Sequence, residues 1–400
     1  MRMMHCSAPS GEEAGPSERH HAPPRHLSAQ MIDSPGVGDV TRAVAQALCA
    51  FVILATALPV VFPRAKAWWI RIFDFPRLQL LVIGAAGIGV SLLVEGAFGL
   101  PAVFLPAMSA AAVLYQAVRI WRYTPLAPRE VQRSKTTDAT NRISLVLSNV
   151  LQENRDAASV LRVIREANPT IVLCVETDEW WREQLHVLAH SHPHVILCPL
   201  PNTYGMLFYS RVPFEDGSVD FLIEDDVPSI QAMVRLESGK RVWINCLHPR
   251  PPAPGESDSS AERDAELVVV AKRVQRAATP VIVCGDLNDV AWSRTTRLFQ
   301  KLSRLVDPRK GRGFFGTFHA RYPFLRYPLD HVFHSDEFRL VDMRLLPYVG
   351  SDHFPVFVEL SLEPDAAQQQ EAPQRDAEDE EEGNETVTQA EERKSGESRS

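Results

Sequence analysis

The chain has 400 residues, of which 45% are apolar and 23% are charged. It can therefore bury a large core, which excludes a wholly disordered, a collagen-like and a disulfide-scaffold protein. The formal net charge of −8 at pH 7 reflects the C-terminal segment 364–400, with 4 basic and 12 acidic residues, whereas segment 134–363 has 26 basic and 30 acidic residues and so does not indicate non-specific duplex binding.

The N-terminal segment 1–41 is rich in Ser, Pro, Gly, His and charged residues. It lacks a sustained apolar period, so we predict that it is disordered. It is also too polar for an ordinary cleaved signal peptide.

Three apolar segments follow within 42–122, at about 43–61, 78–97 and 101–120. Each has close to the ~20 residues that a helix needs to cross a bilayer. Gly, Ala and Ser are frequent in the second and third segments, as in membrane helices that pack closely. Three such segments in succession disfavour the alternative, buried helices of a soluble domain. We therefore predict a multi-pass anchor of three transmembrane helices in a lipid bilayer.

The flanks of these segments predict the orientation of the anchor. The connector between the first two segments contains Arg64, Lys66, Arg71 and Arg77, and further basic residues follow the third segment. If all three segments span, both basic flanks lie on one side, which the positive-inside rule identifies as the cytoplasm. We expect the large domain on that side and the N-terminus outside.

After a linker, 123–141, the pattern changes to alternating strands and helices over 142–363. The order mixes strand–helix units with consecutive strands, which favours two mixed sheets flanked by helices over one parallel sheet. The acidic tail, 364–400, is predicted to be solvated and disordered.

Polar side chains occur at the ends of several predicted strands. Apolar strands run into a carboxylate, an amide or an imidazole at Asn149, Glu176, His248, Asp286 with Asn288, and Asp352 with His353. Each residue alone is compatible with a turn, a loop or surface charge. Strand ends that face loops are where α/β sheets place ligands, so the whole set in one domain indicates a functional site.

The motifs LSNV, CVET, YGMLFYSR, NCLHP, GDLND, PLDHVF and GSDHFP occur in this order. Together they resemble the endonuclease/exonuclease/phosphatase superfamily, and with the preceding apolar segments they look like a membrane-anchored bacterial branch of it. The resemblance implies an α/β deoxyribonuclease-I-like fold, a four-layer sandwich of two mixed β-sheets flanked by helices and preceded by three transmembrane helices. It also implies location in the bacterial inner (plasma) membrane.

The resemblance further implies a metal site. Phosphodiester hydrolysis needs a cation that neutralises charge on the phosphate oxygens. Hard oxygen ligands select Mg²⁺, with Mn²⁺ as an alternative. The expected ligands are Glu176, Asn149 and Asp352.

Catalytic roles follow from the same resemblance. Asp286 is expected to orient or deprotonate the attacking water, and Asn288 to hold a phosphate oxygen. His353 and His248 are expected to contact the phosphate and stabilise its transition-state charge, or one of them to act as general acid. Asp330 is expected to accept a hydrogen bond from His353, which would fix its tautomer.

Further residues are candidates for substrate contacts. Arg250, in the Pro-rich loop after His248, and Tyr204 are expected at the cleft together with Asn288. The basic and aromatic segment 309–328 either forms a rim that binds and stacks nucleic acid or belongs partly to the core.

The predicted function is a membrane-anchored, divalent-metal-dependent phosphodiesterase, with nucleic acid as the leading substrate. The first alternative is a phospholipid or phosphoinositide phosphoesterase, because the anchor would hold the cleft near lipid. The second is a non-catalytic, membrane-tethered binding module. No obligate protein partner is inferred. The sequence has no GxxxxGK[ST] or GxSxG motif, which argues against an NTPase and an α/β-hydrolase.

Overall fold

The computed structural model describes residues 36–95 and 100–397. The first 35 residues of the segment predicted to be disordered lie outside this range, and the chain is already helical from Val37.

The N-terminal part is helical. It contains α1 (Val37–Val61), α2 (Trp68–Arg71), α3 (Arg77–Glu95) and α4 (Leu100–Ile120). Among the described residues, three helices are long and apolar enough to cross a membrane, and they correspond to α1, α3 and α4. Val52, Ala55, Leu80 and Ala112 form a small apolar core between these three helices. Small residues at such contacts allow membrane helices to approach closely. The short helix α2 lies in the connector, 62–76, between α1 and α3.

The C-terminal part contains strands and further helices. The strands are β1 (Arg142–Asn149), β2 (Ile171–Val175), β3 (His194–Cys198), β4 (Met206–Ser210), β5 (Phe214–Asp220), β6 (Ser229–Arg235), β7 (Arg241–Leu247), β8 (Val281–Asp286), β9 (Asp330–His334), β10 (Phe338–Leu345) and β11 (Val356–Leu362). The helices are α5 (Ala157–Ala167), α6 (Glu179–Leu185), α7 (Ala261–Gln275), α8 (Arg294–Ser303) and α9 (Ala377–Glu397).

The strands form two mixed sheets. The first has the order β10-β11-β1-β2-β4-β3, and the second has the order β5-β6-β7-β8-β9. The pairs β1–β2 and β7–β8 are parallel, and the other paired strands are antiparallel. Apolar side chains of both sheets, such as Leu145, Leu173, Ile244 and Ile282, share one core.

Helices cover the outer face of each sheet. Val160 of α5 and Trp181 of α6 pack on the first sheet, and Leu267 of α7 and Phe299 of α8 pack on the second. The layers are therefore helix, sheet, sheet, helix, which confirms the four-layer α/β sandwich predicted from the sequence. Strands β2 and β8 are buried throughout, which explains their almost continuous apolar sequences.

The two parallel pairs bring polar strand ends together at one edge of the sandwich. Gly285, the penultimate residue of β8, has φ of +151°, and a Cβ atom there would lie 1.8 Å from the carbonyl oxygen of Leu247. Glycine is therefore required for the close approach of β7 and β8 directly before Asp286.

The connector docks directly on the sandwich. The Trp292 indole Nε1 donates to the carbonyl oxygen of Asp74 at 2.8 Å, and Lys66 Nζ lies 2.8 Å from Asp264 Oδ2. The three long apolar helices and the sandwich are thus joined by specific contacts as well as by the linker, 123–141.

Two elements differ from the sequence-based expectations. Strand β5 was not predicted, because its sequence FEDGSVD is polar and it lies at a sheet edge. The tail predicted to be disordered contains helix α9, which is anchored by ion pairs such as Lys301–Asp379 at 2.8 Å and Arg393–Glu262 at 2.8 Å. Lys301 of α8 thus offsets part of the negative charge of the acidic run, and Arg393 ties α9 to α7.

Candidate active site

Asn149 connects polar groups that come from both sheets. Its Nδ2 donates to Glu176 Oε1 at 2.6 Å and to Asp286 Oδ2 at 3.0 Å. Asn149 ends β1, Glu176 follows β2, and Asp286 ends β8. The carboxyl ends of the two parallel strand pairs therefore meet, as the sequence pattern predicted.

Glu176 has an unusual backbone conformation. Its φ of +58° lies in the left-handed region, which residues other than Gly, Asn and Asp seldom adopt. This turn after β2 directs the carboxylate into the cleft, where the backbone N–H of Gln152 lies 3.4 Å from Oε2. Burial raises the pKa of Glu176 above its ordinary value, against the charge of His248 and the Asn149 hydrogen bond. A buried carboxylate of this kind gains stabilisation from a nearby cation.

His353 bridges two buried carboxylates. Its Nδ1 donates to Asp330 Oδ2 at 2.7 Å, and its Nε2 lies 3.6 Å from Asp286 Oδ2. Asp286 and Asp330 are direct partners in the β8–β9 ladder. The register of one antiparallel strand pair thus sets both carboxylates around one imidazole.

The surroundings of this trio shift the pKa values of the two carboxylates in opposite directions. Burial alone would lower the pKa of His353, but Asp330 and Asp286 outweigh it and raise that pKa to about 10. Burial raises the pKa of Asp330. Burial has the same tendency at Asp286, but the charges of His353 and His248 hold its pKa below the ordinary value. Carboxyl groups with pKa values pushed apart are typical of sites that transfer protons.

His248 and Asn288 lie beside Asp286. The His248 Nδ1 donates to the carbonyl oxygen of Asp286 at 3.2 Å. Asn288 has φ of +50° and donates from Nδ2 to the carbonyl oxygen of Pro249 at 3.0 Å. The two loops after β7 and β8 therefore hold each other in place at the site.

A cleft of about 580 Å³ opens over these groups, with Glu176, Asn288, Asp352 and His353 on its polar side. We call this side the catalytic floor and include in it the supporting residues Asn149, Asp286 and Asp330. The lining also includes the apolar side chains of Trp68, Ile72 and Phe75 of the connector. We call this part of the lining the connector wall. The volume is within the range of about 300–1,000 Å³ typical of ligand pockets.

The donor set of the floor fits a hard divalent cation. Glu176 and Asp352 both present carboxylates to the cleft, and oxygen donors of this kind suit Mg²⁺ or Mn²⁺. Asn149 was expected to be a third metal ligand. In the structure its Nδ2 donates to the carboxylates, and its Oδ1 accepts from the backbone N–H of Leu151 at 3.0 Å.

A second group of candidate ligands fits a metal less well. Ligand atoms of Asp286, Asp330 and His353 all lie within 4.8 Å of one another. However, His353 already donates from Nδ1 to Asp330, and the pKa of its ring is raised to about 10. A protonated imidazole has no lone pair for a metal, so we interpret this trio as a hydrogen-bonded charge network.

Two predicted substrate contacts lie away from the floor. Arg250 binds the carboxylates of Glu224 at 2.8 Å and Asp226 at 3.0 Å, and its guanidinium stacks 4.6 Å from the Tyr204 ring centroid. The Tyr204 hydroxyl donates to Glu256 Oε2 at 2.6 Å. The structure thus places both residues in an acidic cluster, and neither lines the cleft, although the Tyr204 ring packs on His248 with ring centroids 5.6 Å apart.

The structure adds supporting residues. Two of them lie in the segment 309–328, for which a rim of the site or a place in the core was expected, and Phe318 of this segment lines the cleft. Phe318 packs on His353 with ring centroids 5.1 Å apart, and Thr317 Oγ1 lies 3.4 Å from the backbone N of Asp330. Arg263 Nη1 donates to the carbonyl oxygen of Asn288 at 2.7 Å. The connector residues of the wall were missed, because the connector was interpreted only through its basic residues, as a flank that orients the anchor.

Two facing mixed sheets with carboxylates, amides and histidines at their joined strand ends define a deoxyribonuclease-I-like protein. A model of the Endonuclease/Exonuclease/phosphatase family matches residues 146–353. The chain therefore belongs to this family, as its motifs predicted.

Solved structures of similar fold come from several organisms. An endonuclease/exonuclease/phosphatase from Beutenbergia cavernae is 19% identical, with 56% of this chain and 72% of that chain covered and a TM-score of 0.46. D. rerio TDP2 complexed with single strand DNA product is 18% identical, with 56% and 100% covered and a TM-score of 0.47. The human Nocturnin catalytic domain with bound sulfate is 17% identical, with 56% and 96% covered and a TM-score of 0.45. No curated protein matches the sequence.

Proposed function

We propose that the protein is a membrane-anchored, divalent-metal-dependent hydrolase of phosphoester bonds. The observation that carries this proposal is the His353 imidazole held between Asp330 and Asp286, beside the cleft-facing carboxylates Glu176 and Asp352. Family membership supports the reaction class.

In this proposal the residues of the site have different roles in hydrolysis. Asp286 accepts a proton from a water molecule as the water oxygen bonds to phosphorus. The bond from phosphorus to the leaving oxygen breaks, and that oxygen takes a proton from solvent. His353, oriented by Asp330, donates from Nε2 to a phosphate oxygen on which negative charge increases. Asn288 of the floor and His248, which lies beside Asp286, hold the remaining phosphate oxygens.

The metal site of this proposal consists of Glu176 and Asp352, with Asn149 orienting Glu176. A bound Mg²⁺, or alternatively Mn²⁺, would act as a Lewis acid on the phosphate oxygens.

Nucleic acid is one candidate substrate, and the segment 309–328 was expected either to form a rim that binds it or to belong partly to the core. In the structure Arg309 pairs with Asp307 at 2.8 Å and Lys310 pairs with Glu130 at 2.9 Å. These two cations are buried and offer little attraction for a phosphate backbone, whereas Arg321 and Arg326 of the same segment are exposed. The apolar connector wall favours the second candidate, a phospholipid or related ester.

The anchor completes the proposal. We place α1, α3 and α4 across the plasma membrane of a bacterium, with the catalytic domain in the cytoplasm. A topology reporter fused to the C-terminus tests this orientation. Reporter activity confined to the outer face would overturn it.

The proposed reaction is tested with the full-length protein in lipid nanodiscs. Plasmid DNA, single-stranded oligonucleotides, RNA and headgroup-labelled phospholipids are offered in parallel with Mg²⁺ or with a chelator. We expect metal-dependent turnover of at least one phosphoester, which Asp286→Asn abolishes. Turnover that persists in the chelator or in this variant would contradict the proposal.

A further inference from the structure

The connector wall gives the cleft an apolar surface beside its polar groups. Phosphate chemistry alone does not require such a surface. Glu176, Asp352 and His353 line the cleft with polar, titratable side chains. Trp68, Ile72 and Phe75 line it with apolar surface. A purely hydrophilic phosphoester would leave that apolar surface in contact with water, which is unfavourable in proportion to its area.

The connector wall is held in place by contacts with the sandwich. The backbone N–H of Trp68 donates to the carbonyl oxygen of Asp258 at 3.2 Å. Phe75 packs edge-to-face on Tyr327 with ring centroids 5.6 Å apart. These contacts hold the connector against two separate loops of the sandwich, so the wall and the floor keep a fixed relation.

The basic residue of the connector that lines the cleft does not make the wall cationic. Arg71 Nη1 donates to Asp74 Oδ2 at 3.2 Å, and its Nε donates to the carbonyl oxygen of Ala65 at 2.6 Å. Its guanidinium is therefore committed to the connector itself. A cleft that accepts a polynucleotide is expected to have cations along the backbone path, and this wall does not provide them.

The apolar surface continues toward the membrane anchor. Helix α3 begins at Arg77, two residues after Phe75. The loop tip at Phe324, with 85% of its surface exposed, is tied to this helix, because Gln79 Nε2 donates to the carbonyl oxygen of Phe324 at 2.5 Å. Exposed aromatic side chains beside a spanning helix are typical of the interfacial region of a bilayer.

We propose that the substrate is an amphiphilic phosphoester drawn from the bilayer. Its phosphate lies on the catalytic floor, and the first part of its apolar chain lies along Trp68, Ile72 and Phe75. This inference rests on the proposed phosphoester hydrolysis and names the substrate class of the same site.

The test compares two esters that differ only in chain length. The full-length protein in nanodiscs with Mg²⁺ is given methyl p-nitrophenyl phosphate or dodecyl p-nitrophenyl phosphate. Both esters have the same leaving group and the same charge. We expect kcat/KM for the dodecyl ester to exceed that for the methyl ester by roughly a hundredfold, because several methylene groups leave water.

A variant separates binding in the cleft from simple partition into the bilayer. Ile72→Asn places an amide in the wall at a side chain that is 50% exposed, so the fold should tolerate it. The matched control is Val187→Asn, which changes another partly exposed aliphatic residue, one that does not line the cleft. Partition of the dodecyl ester is the same for both variants. We expect Ile72→Asn to lower the dodecyl-to-methyl ratio about tenfold, and Val187→Asn to leave it unchanged.

Binding gives a second readout that does not depend on turnover. Calorimetric titration without metal should show tighter binding of dodecyl phosphate than of methyl phosphate, and Ile72→Asn should weaken only the former. Equal kcat/KM values for the two esters, or a ratio that Ile72→Asn does not change, would overturn the inference but leave phosphoester hydrolysis intact. Faster hydrolysis of a single-stranded oligonucleotide, with no competition by dodecyl phosphate, would also overturn it. If no phosphoester is hydrolysed, whether alkyl ester, phospholipid or nucleic acid, the proposed function fails and the inference fails with it.

Discussion

The catalytic floor and the connector wall differ in origin as well as in polarity. Asp286, Asp330 and His353 of the floor are buried and lie on or beside strands of the sandwich. Trp68 and Ile72 of the wall belong to the connector between two apolar helices. In the proposed mechanism, reaction chemistry and substrate selection therefore reside in different parts of the chain, and we expect that they can be altered separately.

The floor and the wall also differ in how strongly a single substitution should affect them. The floor is a network of buried polar groups, in which the loss of one partner leaves another unsatisfied. Asp330 Oδ1 already has no hydrogen-bond partner among the described residues. The wall makes non-directional apolar contacts, whose loss scales with area. We therefore expect large effects from the floor and graded effects from the wall.

The largest effect is expected from the floor. Asp286→Asn and His353→Ala should each lower kcat by about a hundredfold to ten-thousandfold, since each removes a group that acts on protons or on transition-state charge. Initial rates on the best substrate, with thermal unfolding of the same samples, provide the measurement. Asp216→Asn, at an exposed residue of β5, is the matched control. Near-normal turnover in either floor variant would contradict the assignment.

A smaller effect is expected from Asp330→Asn. The amide can still contact His353, but it no longer carries a charge and can hold the imidazole in the wrong tautomer. We expect kcat to fall by about a hundredfold at most, because the variant acts through His353. The ring ¹⁵N signals of His353 should shift in this variant. Lost activity with unchanged ring signals would indicate another role for Asp330.

Glu176→Gln should act mainly on the metal. The variant replaces a carboxylate ligand by a neutral amide, so the half-saturating Mg²⁺ concentration should rise at least about tenfold. Activity and calorimetric binding are both titrated with Mg²⁺, with Glu153→Gln as a control in the nearby loop. An unchanged Mg²⁺ requirement together with low kcat would move Glu176 from the metal site to substrate binding.

The sequence predicted the catalytic floor because its residues are ordered by strands. The apolar runs of β1, β2, β7 and β8 are nearly continuous, and a polar residue follows each one. Strand direction then brings these ends together, which the Asn149 hydrogen bonds to Glu176 and Asp286 bear out. Apolar runs and a simple rule of sheet geometry indicated where these strand ends meet, whereas Asp330 and the expected roles came from the resemblance to the family.

Other features depend on long-range contacts that no local pattern reveals. Arg250 follows His248 closely in sequence, yet Glu224 and Asp226 hold it in an acidic cluster. The wall residue Trp68 is separated by about a hundred residues or more from every residue of the floor except Asn149. Helix α9 forms where an isolated acidic segment would be unstable, because Lys301 of α8 compensates part of its charge and Arg393 pairs with Glu262 of α7.

The smallest effect is expected from a substitution at the contacts that join the connector to the floor. Lys66 Nζ lies 2.8 Å from Asp264 Oδ2, Arg263 Nη2 donates to Asp264 Oδ1 at 2.8 Å, and Arg263 Nη1 donates to the carbonyl oxygen of Asn288. Burial alone would raise the pKa of Asp264, but Lys66 and Arg263 outweigh it and hold that pKa well below its ordinary value. This chain of contacts leads from the connector to the loop after β8.

Lys66→Met removes the charge but keeps the aliphatic stem. Asp264 would lose one of its two cationic partners, which should cost about 1–3 kcal/mol of stability. We expect the dodecyl-to-methyl ratio of kcat/KM to fall a few-fold, with methyl ester turnover within about twofold of wild type. Lys135→Met, at an exposed residue of the linker, is the matched control. If methyl and dodecyl ester turnover fall equally, the connector supports the floor itself, and the separation of selection from chemistry does not hold at this contact.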